Sequence, residues 1–468
     1  MGFNLDTIII SGKEVLPIIE GGKGIAVTNG KSSGAFSAAG GVGTFSAVNA
    51  ESYDEKGNVK LPKYHGKTRR ERHEELILRG IEGGITQAKI AHEIAGNNGP
   101  IHMNLLWEMG GAQKILQGIL DKAKGLIQGI TCGAGMPYKL AEIAALYKVY
   151  YYPIVSSMRT FRALWKRAYM KVPKWLGGIC YEDPWLAGGH NGLSNNEDPQ
   201  VPEDPYLRIV ELRKFMNEVG LVNVPIIMAG GIWHLKEWEH WFNNKEIGKI
   251  AFQFGTRPIV TEESPVPLAW KKKLFTLKKG DISLNRFSPT GFYSSAVKNK
   301  FIKELEQRNI RQIEYSTERD SERELTSELP IGKRNRIVYV KQSDLEKSAN
   351  WKQQGFIETM KTPDSTLIFV TPEKASQIHS DQVDCVGCLS ACKFSNWRDK
   401  DDYTTGRKAD PRSFCIQKTL QDIAYTGDID NQLMFSGHNA YRFATDSFYE
   451  NYFIPTVKQL VDRIAIGY

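Results

Sequence analysis

No run of about 18 apolar residues occurs in the chain, so no membrane-crossing helix is expected. Cysteine is sparse: six in 468 residues, too few for a disulfide-built fold. An excess of one charge sign is also missing. Lys and Arg number 61 against 53 Asp and Glu, and the resulting +8 is spread over a long chain. That balance suits an anionic cofactor or substrate and does not by itself imply nucleic acid. GxGxxG is absent after the first apolar run, which removes the usual fingerprint of a dinucleotide fold. The opening MGFNLDTIIISGKEV has an early acidic residue and only a short apolar run, unlike a secretory leader. These absences predict a cytoplasmic, soluble protein. Apolar residues make up 41% of the chain, enough for a packed core, and the length suits two or three domains.

The most informative stretch is Pro225–Ser264. An apolar run, Val224–Ala229, ends in Gly230-Gly231; a second, Ile250–Phe254, ends in Gly255-Thr256. Between them Leu235–Asn244 reads as a helix with an aromatic face. Short buried strands alternating with helices indicate parallel βα units. Backbone N–H groups just past two such strands can converge on an anion, and glycine lets the backbone come close. In (β/α)8 barrels the loops after strands seven and eight commonly form a phosphate site. Strands near 17, 43, 101, 130, 152, 178, 225 and 250 make eight, with helices between them. The expected fold class is therefore α/β, a (β/α)8 TIM barrel. The expected division is 1–297 barrel, 298–344 charged connector, and 345–468 a smaller appended C-terminal domain carrying a four-cysteine cluster.

His190 lies in Ala187-Gly188-Gly189-His190-Asn191-Gly192, after the sixth strand. Glycines on both sides let backbone approach a ligand, and an imidazole can donate or accept a proton at cellular pH. The same face carries the phosphate turns, so His190 is the candidate catalytic residue.

PIIEGGKG, AAGGVGTFSA, MNLL, ITCGAGMP, PIVSS, LAGGHNG, IMAGGI and FGTRPIVTEES, in this order, resemble the nitronate monooxygenase (2-nitropropane dioxygenase-like) family over about residues 10–295. FMN-dependent enoyl-acyl carrier protein reductases share these motifs. The resemblance implies a TIM-type barrel with FMN at the C-terminal ends of the strands. It places the phosphate site on Gly230, Gly231, Gln253, Phe254, Gly255 and Thr256. It sets Gly22 and Asn104 along the isoalloxazine, Gly188 where the flavin nears the histidine loop, and His190 beside the flavin N5. Three features depart from the pattern. Lys23 stands where an apolar residue is common, Trp185 could stack on substrate or pack, and Tyr53–His73 is a long insertion ending in KTRRERH.

Cys385, Cys388, Cys392 and Cys415 form C-x2-C-x3-C plus a fourth thiol 22 residues on. In a protein outside the oxidising compartments such thiols are most simply metal ligands. Three close cysteines and a distant fourth suit a [4Fe–4S] cluster, with zinc the second choice. CVGCLSAC also resembles a segment of the dienoyl-reductase group of iron–sulfur flavoproteins. Cys132 and Cys180 fall on strands and read as core.

Three functional readings follow. The first is an FMN oxidoreductase of the nitronate monooxygenase type, oxidising an anionic carbon acid such as an alkyl nitronate with O2. The second is a reductase of an activated double bond such as an enoyl thioester, fed by NAD(P)H or by an electron-transfer partner through the cysteine cluster. The third, an RNA- or protein-binding module, rests only on the basic stretches Lys67–Arg72 and Lys271–Lys279. A small-molecule substrate is expected in the first two, with no membrane partner; oligomeric state is not legible.

Overall fold

The computed structural model describes residues 3, 5–96, 98–332, 334–399, 404–421 and 423–468. Eight parallel strands form its centre: β1 Ile18–Glu20, β2 Gly43–Ser46, β3 Ile101–Leu106, β4 Gly129–Gly133, β5 Tyr150–Val155, β6 Ile179–Glu182, β7 Ile226–Ala229 and β8 Ile250–Phe254. They pair in sequence order from β2 to β8, and β8 pairs with β1 through Phe252 and Ile18. Closure needs only β1 against β2. There Ile19 bridges Val42, and the Glu20 and Val42 N–H groups donate to Val42 O and Ile18 O at 2.9 Å. All eight expected strands are present, and the fold is a TIM-barrel-type α/β structure.

The strands are nearly continuous apolar runs because both faces are covered. Inward side chains Ile19, Val42, Tyr152, Cys180, Ile227, Ala229 and Ala251 fill the barrel, and Ile10 and Val15 of the hairpin Ile8–Ile10/Lys13–Val15 join them from below. Outward side chains pack on the helices α1 Gly30–Ala38, α2 Arg69–Ala95, α3 Ala112–Lys122, α4 Leu140–Tyr147, α5 Met158–Arg167 and α6 Pro205–Glu218. The charged insertion gives way earlier than expected: Thr68 caps α2 in a capping box with Glu71, so one helix runs from Arg69 to Ala95. After β7 the expected helix over 235–244 is instead a 3-10 turn, Leu235–Trp241, whose aromatic rings pack on Phe252.

After β8 the chain leaves the barrel. Residues 298–344, expected to be a charged connector, hold the helix α7 Lys300–Ile310 and the strands Gln312–Glu314, Ser327–Ile331 and Arg336–Val340. Gln312–Glu314 pairs with Thr366–Val370, which pairs with Glu358–Lys361, so this lobe crosses the expected boundary at 345. Ile313, Leu329, Val338, Val340, Leu367 and Phe369 give it its own small core. The C-terminal region then returns over the barrel. Its last helix, α8 Val457–Ala465, packs against α1 and β1, and Gly467 O accepts from Lys236 N after β7. That is the place of the eighth barrel helix. No helix among the described residues is long and apolar enough to cross a membrane.

Candidate active site

The C-terminal ends of the strands open into a cavity of about 1650 Å³, its mouth included. Gly22, Asn104, Gly188, His190, Gly230, Gly231, Gln253, Gly255 and Thr256 all line it, as does Cys388. Phe254 does not. Its side chain points away from the cavity into the core, 2% exposed, because successive strand residues face opposite sides.

Gly230 and Gly231 have φ of 91° and 75°, a region that favours glycine, and a Cβ on Gly230 would stand 2.9 Å from that of Ala187. A Cβ on Gly255 would meet nothing within 4 Å. The N–H groups of Gly231, Gly255 and Thr256 find no acceptor among the described residues. Spare donors converging on open space fit a phosphate-bearing group such as that of FMN. After the first strand, a Cβ on Gly22 would lie 2.2 Å from Asn104 Cβ, so only glycine lets the loop that follows β1 pass against Asn104 of β3. Asn104 is buried and its amide donates to Thr131 Oγ1 at 3.2 Å.

His190 sits on a two-residue strand, Gly189–His190, paired with Ser294–Ser295. Its Nε2 is 2.6 Å from Ser288 Oγ, and the Phe435 ring stands edge-on at 5.1 Å. Burial lowers its pKa to about 4, so the imidazole is neutral at neutral pH. Glu182, at the end of β6, also lines the cavity; burial, then the neighbouring Asp183, raises its pKa to about 8. Lys23 is half-buried and donates to Gly21 O at 2.7 Å. Burial lowers its pKa to about 8 against the opposing pull of Glu20. The cavity thus combines a neutral imidazole, a carboxyl that holds its proton and a weakened ammonium. Trp185 takes no part: it is 2% exposed, donates to Asp198 O and packs under Arg208.

Sequence reasoning missed the roof. The strap Met434–Gly437 crosses the cavity mouth; Phe435 bridges Ala296, and Gly437 N donates to Thr256 Oγ1 at 3.0 Å. Asn439 Nδ2 donates to Gly231 O at 2.6 Å. The close approach that Gly188 permits is to this strap, where a Cβ would lie 2.5 Å from Ser436 C. Ile416, Leu420 and Ile423 complete an apolar side of the roof. The fixed spacing between aligned strand ends had no counterpart here, apart from the Ser-Gly pair at 436–437.

Cys388 lies in the cavity wall and Cys385 and Cys392 are buried, while Cys132 and Cys180 are buried on β4 and β6 as expected. Among the described residues no group of three or more Cys, His, Asp or Glu side chains could hold a metal ion, so the expected metal site at Cys385, Cys388, Cys392 and Cys415 has no support. The basic stretches are used within the chain. Arg69 and Arg72 donate to carbonyls of residues 382–395, and the buried Lys271 ammonium donates to Thr261 O and Ser264 O.

Residues 149–373 match the sequence model of the nitronate monooxygenase family. Among solved structures, the chain is similar to FabK from Thermotoga maritima, with a TM-score of 0.51 and 15% identity over 96% of this chain and 91% of that one. It is likewise similar to the enoyl reductase domain of MlnA from the macrolactin biosynthesis cluster of Bacillus amyloliquefaciens, with a TM-score of 0.52 and 12% identity over 96% and 93%. At such identities the likeness speaks for the fold. No curated protein matches the chain in sequence. Barrel and sequence match together support an enzyme, an FMN-dependent oxidoreductase, similar to the nitronate monooxygenase family over residues 149–373.

Proposed function

We propose that the cavity binds FMN and that the enzyme oxidises an anionic carbon acid, an alkyl nitronate being the simplest, with O2. The observation that supports this best is one cavity holding both the glycine cradle with spare N–H donors and a neutral histidine. In this reading Gly230, Gly231, Gln253, Gly255 and Thr256 hold the phosphate, and Gly22 and Asn104 lie along the ring. Bound there, FMN supplies electron transfer from carbon and to O2. The protein supplies binding and proton handling. Lys23 offers positive charge to an anionic substrate. His190, anchored at Nε2 by Ser288, offers its other ring nitrogen to the substrate as a hydrogen-bond partner. Glu182, protonated at neutral pH, donates a hydrogen bond to developing negative charge.

One observation favours a second reading. Ile416, Leu420, Ile423 and Met434 make an apolar side of the cavity that suits an acyl chain, and Cys388 brings the four-cysteine segment to its wall. The enzyme is then a reductase of an activated double bond, fed by NAD(P)H or through that segment. Anaerobic mixing separates the two. Bleaching of the flavin absorbance by a nitronate, with recovery on adding O2, is the expected result. Indifference to every nitronate, with bleaching by NAD(P)H or dithionite and recovery on adding an enoyl thioester, refutes the first reading in favour of the second. A protein that takes up no FMN refutes both.

A further inference from the structure

His190 is the inner end of a row of hydroxyl groups. Its Nε2 lies 2.6 Å from Ser288 Oγ, and Ser288 Oγ lies 2.9 Å from Thr290 Oγ1. Ser288 is 3% exposed, so the first link is shut off from solvent. Thr290 is half-buried and stands in the partition between two cavities: it lines the active-site cavity and a second, open one beside it. Both hydroxyls belong to the turn Ser288–Gly291, closed by Gly291 N donating to Ser288 O at 3.0 Å. Arg286 Nη2 donates to Gly291 O at 3.2 Å and Lys393 N to Pro289 O at 3.0 Å, while Asn191 N donates to Tyr293 O at 3.1 Å and ties the turn to the histidine loop.

The donors and acceptors of this row come out even. A hydroxyl has one hydrogen to give and two lone pairs to accept with. Besides the contacts along the row, Ser288 Oγ accepts from Thr290 N at 3.3 Å, and Thr290 Oγ1 accepts from Phe292 N at 3.2 Å. With the ring hydrogen on Nδ1, Nε2 can only accept. Ser288 then gives its hydrogen to Nε2 and takes those of Thr290 N and Thr290 Oγ1. Thr290 keeps one lone pair for water in the second cavity. Arg159, Arg286 and Lys393 line that cavity, and no carboxylate does among its described residues, so no fixed base there captures a proton. The inner side offers no such supply during turnover, because the strap Met434–Gly437 crosses the mouth and the reactants fill the space. Burial keeps the imidazole neutral. A ring that gave up its Nδ1 hydrogen would be left as an anion unless Nε2 gained one in the same step.

We propose that Ser288 and Thr290 form a proton relay that feeds His190 from the second cavity. Water gives a proton to Thr290 Oγ1, Thr290 gives its own to Ser288 Oγ, and Ser288 gives its own to His190 Nε2. The Nδ1 hydrogen passes to the reacting atom that is left negative. Each O–H or N–H bond broken along the row is replaced, no electron moves, and hydroxide is left to the bulk solvent. The ring ends protonated at Nε2. It resets once product leaves, when water gives a proton to Nδ1 and the row runs backwards. The use of the relay in turnover rests on the function proposed above; the hydrogen-bonded row and its direction do not.

The test uses the full-length protein with its FMN. In proton spectra of protein carrying nitrogen-labelled histidine, the hydrogen shared by His190 and Ser288 is identified by its loss in His190→Ala and in Ser288→Ala. It should show no one-bond coupling to nitrogen, being held on oxygen. Its exchange with water should slow about tenfold in Thr290→Val, the scale of one lost hydrogen bond, and recover in Thr290→Ser. A one-bond coupling to nitrogen, or unchanged exchange in Thr290→Val, would overturn the relay. In turnover Thr290→Val should lower kcat about tenfold, raise the solvent deuterium effect on kcat and leave KM unchanged, with Thr290→Ser restoring the rate. An unchanged kcat, or a change confined to KM, would also overturn it. Slowed exchange in a protein that oxidises no nitronate and reduces no enoyl thioester leaves the relay standing and fails the proposed function. Turnover with unchanged exchange does the reverse.

Discussion

Replacing Gly188 by Ala tests whether the strap Met434–Gly437 closes the active site. The new methyl would lie 2.5 Å from Ser436 C, 2.6 Å from Gly437 N and 2.9 Å from Ser436 Cα. These are backbone atoms, so no rotamer change relieves the clash. Ordinary contact begins at 3.4 Å, so the two backbones must separate by about 0.9 Å. The strap bonds most directly exposed to that movement are Gly437 N to Thr256 Oγ1 at 3.0 Å, His438 N to Leu186 O at 3.1 Å and Ser436 N to Ser295 O at 3.3 Å. Stretched beyond about 3.5 Å they cease to count. Two or three bonds at about 1 kcal/mol each give about 2–3 kcal/mol against docking of the strap. Apparent flavin affinity falls with the fraction of closed sites, by up to about 100-fold. Thermal unfolding and a fluorescence titration of apoprotein with FMN measure the two effects. An unchanged melting temperature together with unchanged affinity would refute the docking of the strap described here.

Gly255→Ala is the contrasting case. Its methyl meets no protein atom, so the melting temperature of the apoprotein should hold while FMN affinity drops. Gly231→Asp adds a carboxylate at the cradle, and flavin should be missing from the purified protein. His190→Ala should keep its flavin and lose roughly 100-fold in turnover with the true substrate. Glu182→Gln has a signed pH dependence. The folded chain holds this proton up to a pKa of about 8, whereas the unfolded chain releases it near 4.5. Wild-type stability from this group is therefore present below the unfolded value and lost as pH rises toward 8. The melting temperature of the variant relative to wild type should rise between pH 5 and pH 8; a constant difference would contradict the buried, protonated state.

The barrel was legible because each strand is a short apolar run ending in glycine, a pattern imposed by burial on both faces and by crowding at the strand ends. Gly22 shows the limit of that reading: its place was foreseen, but not that Asn104 Cβ occupies the space a side chain would need. The residues lining the cavity were legible where they follow a strand. The Phe254 side chain faces the core because alternation, which motif matching ignores, turns every second side chain away. Leu235–Trp241 has helical spacing of its aromatic residues but packs as a 3-10 turn against Phe252. The cysteine segment stood out by its spacing, while the arginines that clamp it sit some 310 residues earlier, where they looked like a basic surface. Contacts of that separation leave no local period to read.

The place of the last helix has a consequence for how the molecule is made. Because α8 fills the eighth position of the ring, everything between β8 and α8 is an excursion of about 200 residues within one strand-to-helix connection. Such connections emerge at the catalytic end of a barrel, which is why this excursion roofs the cavity instead of hanging from the base. Closing so long a loop adds little to the equilibrium cost, since that cost grows only with the logarithm of length. The burden is kinetic. During synthesis β1 and α1 emerge about 400 residues before α8, their apolar flank uncovered meanwhile. The ring is sealed last, so chaperone dependence and aggregation during expression should track the docking of Leu460, Val461 and Ile464 more closely than changes in any barrel strand.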